Sequence, residues 1–125
     1  MHTMIADYME GGFLENIIDM FKHDRSLYSL LHHLMSDERG RVRLGAVALI
    51  ETLKDEHYED IVKIIPSIAA LLKDPNPTIR ADAAYLLGII GHKDALPYLE
   101  EAQKDEIAPV RQVISEAIEE LTNLP

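Results

Sequence analysis

Three aspartate–arginine sets and a histidine cluster are the residues of this chain whose types and spacing could do chemistry. Asp37, Asp74 and Asp105 each precede an arginine by six residues: Arg43, Arg80 and Arg111. A carboxylate beside a guanidinium could serve as an acid–base or anion-binding pair, but an active site needs one such constellation, not three in a row. A turn carboxylate also accepts helix N-terminal amides or bonds a neighbouring arginine. The sets therefore predict a structural ladder of six residues rather than catalytic pairs. His32 and His33 with His23 form the densest group of potential metal ligands. Adjacent helical residues point about 100° apart, so only one of the pair joins His23 or Asp37 easily. That falls short of a closed ligand set, and no metal is expected. Arg39, Arg41 and Arg43 make the one basic stretch, "RGRVR"; an anion at that helix N-terminus is conceivable, while a solvated turn is the simpler expectation. Gly88–Gly91, "GIIG", reads as a close-packed helix end. No Ser/His/Asp set and no glycine-rich phosphate loop occurs.

The elements that carry these residues repeat. Aligned on the aspartates, "DERGRVRLGAVALIETL", "DPNPTIRADAAYLLGII" and "DEIAPVRQVISEAIEEL" share five apolar rows. They are Val42, Ile79, Val110; Ala46, Ala83, Ile114; Leu49, Leu86, Ala117; Ile50, Leu87, Ile118; and Leu53, Ile90, Leu121. Those offsets form one helical stripe facing a core. The residues before each aspartate match too: Tyr28, Ile65, Leu96; Leu31, Ile68, Leu99; Leu34, Leu71, Ala102. Each repeat is thus a helix, a turn bearing the Asp, and a second helix bearing the Arg. The repeats fall at about 25–56, 57–92 and 94–122, and residues 54–62 read as a longer link. Pro77 and Pro109 suit first helical turns, Asn76 and Asp94 suit N-caps, and Gly91 suits a C-terminal cap. Pro66 predicts a helix that kinks or starts late. Residues 1–24 do not repeat; they read as one or two short helices broken at Gly11-Gly12, capping the stack. The C-terminal helix, with Glu116, Glu119 and Glu120, suits the other end.

Composition limits the partners. The 125 residues carry a formal charge of −10, with 47% hydrophobic and 27% charged side chains. Nucleic-acid affinity comes from Lys and Arg displacing counterions, so neither nucleic acid nor an anionic membrane is expected, and a protein with a basic or neutral surface is. Absence of cysteine excludes disulfides and thiolate chemistry. "MHTMIADYME" lacks the marks of a signal peptide, and the longest apolar run, Ile61 to Leu72, is short of the ~20 residues a bilayer needs. A cytoplasmic protein is expected.

The stretch "LLKDPNPTIRADAAYLLGIIGHKDALPYLEEAQKDEIAPVR" resembles HEAT repeats, specifically the short HEAT-like type also found in phycobilisome lyases, and the resemblance covers about residues 25–121. It implies an all-α fold: a right-handed α-α superhelix (solenoid) of three helical-hairpin repeats, residues 25–125, behind an N-terminal helical cap. It also implies a concave face of second helices that binds another protein. The family includes an iron-dependent deoxyhypusine hydroxylase with His-Glu pairs; here only Glu56-His57 occurs, in reverse order. HEAT-like DNA glycosylases use a basic groove, and no residue marks a bilin site. The expected function is therefore non-catalytic protein–protein interaction without a cofactor. The alternatives are a metal- or cofactor-dependent enzyme or chaperone of HEAT-like fold, and a self-associating structural protein pairing through Met1, Met4, Met9 and Met20. Subtracting the core rows leaves a stripe for partner binding: Arg41, Leu44, Ala48 and Glu51, then Ala81, Tyr85 and Ile89, then Gln112, Glu116 and Glu119.

Overall fold

The computed structural model describes residues 2–125; Met1 lies outside them. Among the described residues the chain is helical with no strand, and no helix is long and apolar enough to cross a membrane. It gathers into two compact units, Met1–Ile64 and Ile65–Pro125.

In the first unit α1 (His2–Glu10) and α2 (Leu14–His23) pack on α4 (Gly40–Leu53), with α3 (Leu31–Met35) beside them. The break between α1 and α2 falls at Gly11-Gly12. Gly12 takes φ +88, a conformation that a Cβ disfavours. α1 and α2 share the core of this unit, because Ile5, Ile17 and Phe21 are fully buried with Leu49 and Ile50. Each such burial contributes about 1.5–3 kcal/mol. Gly45 lets α1 approach α4: a Cβ there would overlap Met9 Cγ and Sδ. Met9 is accordingly buried, Met20 half-buried and Met4 exposed.

Residues 54–62, expected as a longer link, hold a turn and a short helix. His57 N–H donates to Leu53 O at 2.8 Å and Ile61 N–H to His57 O at 3.1 Å, leading into α5 (Tyr58–Val62). Leu53, His57 and Ile61 are all buried, the two i→i−4 backbone bonds carrying the chain through the turn at 54–57.

The second unit contains α6 (Ile65–Ala69), α7 (Pro77–Ile90), α8 (Leu96–Ala102) and α9 (Ala108–Thr122). Pro66 stands second in α6, so that helix starts late, and it passes into a 3-10 turn over Ala70–Lys73. Asn76 caps α7 by accepting Thr78 N–H at 2.9 Å, Pro77 fills the first position, and Gly91 closes the helix at φ +71. Asp94 does not cap α8. A 3-10 turn over Lys93–Ala95 precedes that helix, and the free amide at Asp94 is taken by His92 Nδ1 at 3.0 Å. The turn moves the cap two residues upstream of the expected place. α7 and α9 pack closely at Gly88, where a Cβ would lie 3.3 Å from Ala117 Cβ.

All five second-helix rows are buried in every copy except Ile118, which is half-buried. A sixth row goes beyond the expected stripe: Val47 and Ala84 are buried, while Ser115 is exposed. Ser115 and Glu119 of α9 face solvent where α7 buries Ala84 and Gly88.

Candidate functional site

The three aspartate turns share one geometry. Asp37, Asp74 and Asp105 each accept, through Oδ1, the amide two residues on: Arg39 at 2.9 Å, Asn76 at 2.8 Å and Ile107 at 2.9 Å. Those three residues are the N-caps of α4, α7 and α9, with ψ of 117, 115 and 117°. The arginine six residues after each aspartate donates Nη1 to that aspartate's carbonyl, at 2.5, 2.8 and 2.6 Å for Arg43, Arg80 and Arg111. The carboxylate therefore sets the turn, and the arginine clamps the turn's backbone to the helix that follows.

The guanidinium that fills each carboxylate differs. Arg80, 9% exposed, reaches Asp105 of the following repeat with Nε to Oδ2 at 2.8 Å and Nη2 to Oδ1 at 3.2 Å. These bonds hold the Asp105 carboxyl below its usual range, against the opposing effect of burial. Asp37 instead takes Arg39 from its own turn, Nε to Oδ1 and Nη2 to Oδ2, both at 2.9 Å. Arg39's hydrogen bond is the main cause of the lowered Asp37 carboxyl. Arg39 Nη1 also meets Asp7 at 2.9 Å and Glu10 at 3.2 Å. Within "RGRVR", then, Arg39 is tied to three carboxylates rather than left in a solvated turn, while Arg41 is exposed and Arg43 buried. Every oxygen of the Asp37 and Asp105 carboxylates has a donor from its own turn or from Arg80, so both groups hold turns.

The ten residues of the expected binding stripe all remain accessible in their own units. In the first, Arg41, Leu44 and Glu51 are exposed, Leu44 at 67%, and Ala48 is half-buried. In the second, Tyr85 is 54% exposed between half-buried Ala81 and Ile89. Gln112, Glu116 and Glu119 are exposed on α9, where Gln112 Nε2 donates to Glu116 Oε1 at 3.2 Å. The Glu120 carboxylate lies beside Gly88, one helical turn from Tyr85. Glu116, Glu119, Glu120 and Asn123 line a shallow recess of about 320 Å³.

Among the histidines, His23 is exposed with Nδ1 at 2.8 Å from Asp19 O, and the His32 and His33 rings lie 3.9 Å apart. No group of three or more His, Asp or Glu side chains is arranged to hold an ion among the described residues. A histidine of the link, His57, is more enclosed than any of these. His57 is 3% exposed and its Nδ1 pairs with the Tyr28 hydroxyl at 2.9 Å. Burial, and then the negative charge of Asp60, pushes the Tyr28 phenol up to about 12. Phe21 packs edge-on against Tyr28. The Leu53–His57–Ile61 spacing was the available signal for this burial; the pairing with Tyr28, 29 residues away, had none.

A family model described as HEAT repeats matches residues 22–119. Comparison with curated proteins found no significant match.

Proposed function

The chain belongs to the HEAT-repeat family, and from that premise we propose that it is a non-catalytic protein-interaction module whose second helices bind a partner protein. In this reading three repeats stack as a right-handed superhelix, and the inner, concave stripe runs from Arg41, Leu44, Ala48 and Glu51 through Ala81, Tyr85 and Ile89 to Gln112, Glu116 and Glu119. One observation carries it. Tyr85 is 54% exposed on a helix whose Ala83, Ala84, Leu86 and Leu87 are buried. Exposed tyrosine supplies contact area at low entropic cost and is favoured in interfaces. The acidic recess on α9 favours a segment that is basic where it meets Glu116, Glu119 and Glu120. The reading is of a cytoplasmic protein without a cofactor.

Affinity capture from the native cell tests this, with wild type, Tyr85→Ala and Glu116→Lys as parallel baits. A partner retained by wild type is expected to bind at least about tenfold more weakly to Tyr85→Ala. A partner bound equally by both correctly folded variants would overturn the assignment to this face.

A further inference from the structure

A cavity of the second unit is lined by none of the stripe residues around Tyr85. A groove of about 510 Å³ runs between the first helices of the hairpins, α6 with its 3-10 extension on one side and α8 with the following turn on the other. Its apolar lining includes Pro66, Ala69, Ala70, Ala102 and the Tyr98 ring, which is 38% exposed. Its volume falls within the range of ligand sites, ~300–1,000 Å³.

The charges around the groove select the occupant. Lys73, Lys104, Glu101 and Asp105 line it. Glu101 is paired with Lys73 at 3.3 Å, and Asp105 is taken by Arg80 and the Ile107 amide. Lys104 makes no ion pair among the described residues, so the groove holds one uncommitted positive charge in a chain of charge −10. Two of the three lysines in residues 65–125 line it. We propose that this first-helix groove docks a partner peptide segment in which a large apolar side chain sits next to a carboxylate, the side chain against the alanines and the carboxylate on Lys104. This preference is opposite in charge to that of the second-helix face, so the module would join two different segments.

Selection from a random peptide library displayed on phage tests the proposal, using wild-type protein and then counter-selecting against Ala70→Trp, a substitution at an exposed position that fills the groove. The peptides kept by wild type and rejected by Ala70→Trp are expected to combine Leu, Phe or Tyr with a neighbouring Asp or Glu. Synthetic copies should bind Lys104→Glu about fivefold more weakly, with the loss shrinking at high salt. Their affinity for Tyr85→Ala should be unchanged, which separates this groove from the second-helix face. The proposal is overturned if no peptide distinguishes wild type from Ala70→Trp, or if those that do are basic. A wild-type dimer that Ala70→Trp dissolves would overturn it in favour of a second copy of this chain.

Discussion

The second unit encloses an ion pair, Arg80 on Asp105, between residues that recur in every repeat. The first unit, besides the buried Arg43 clamp, encloses a phenol–imidazole pair, Tyr28 on His57, which occurs once. Tyr28 stands in the row that carries Ile65 and Leu96 in the other copies, both apolar. A polar group in an apolar row needs a partner of its own, and His57 meets it from residues outside the repeat pattern. The second unit thus follows the repeat rule, and the first follows it with local exceptions that demand specific partners. The same contrast holds at the turns: Asp105 is filled by the arginine of the preceding repeat, Asp37 by Arg39, which also draws in Asp7 and Glu10 of α1.

The comparison is broken most directly at Arg80. Its side chain is 11% exposed and that of Asp105 8%, so Arg80→Ala strands a carboxylate and frees the Asp74 turn. A loss of about 3 kcal/mol is expected in chemical denaturation. Arg111 makes the same carbonyl bond from an exposed position, and Arg111→Ala should lose less than about 1 kcal/mol. Equal losses would mean that the carbonyl clamp, and not the pair with Asp105, stabilises the hairpins.

What the sequence disclosed follows the same division. Repetition made the three turns and the five core rows readable, because three copies of one spacing average out local noise. Contacts made once gave no such signal. Arg39's reach to Asp7 spans 32 residues, and the groove beside Lys104 depends on how two helices approach each other. Asp94 missed as a cap for a simpler reason: a 3-10 turn shifts the free amide by less than a helical turn, and a capping residue two positions away does the work.

The next largest effect belongs to the unique pair in the first unit. Tyr28→Phe keeps the ring but leaves His57 Nδ1 buried without its hydroxyl partner, at a cost of about 1–2 kcal/mol. The pH dependence has a definite sign. The folded phenol is raised from 10.0 to about 12, so the unfolded chain loses this proton first as pH rises. The contribution is complete below about pH 10 and is lost as pH climbs through the folded value. Part of the alkaline destabilisation should therefore vanish in Tyr28→Phe, along with a phenolate absorbance step near pH 12. An unchanged alkaline limb would remove Tyr28 as its source.

The smallest effect sharpens the comparison between the turns. Both Asp37 and Asp105 have lowered carboxyl groups, Asp37 chiefly through Arg39 and Asp105 chiefly through Arg80. A lowered folded value means that the unfolded chain takes up the proton first as pH falls. The stabilisation is present above the unfolded carboxylate value, 3.8, and disappears as pH falls through the folded one. Asp37→Asn keeps an acceptor for the Arg39 amide, and Arg39 keeps Asp7 and Glu10, so the loss at neutral pH should stay under about 1 kcal/mol. Asp105→Asn removes the only carboxylate bonded to Arg80 among the described residues and should cost more, with the gap between the two variants closing as both carboxylates protonate below about pH 4. If Asp37→Asn proved as costly as Asp105→Asn, the network around Arg39 would be equivalent to an inter-repeat rung, and the division between a rule-built unit and an exception-built one would fail at its turns.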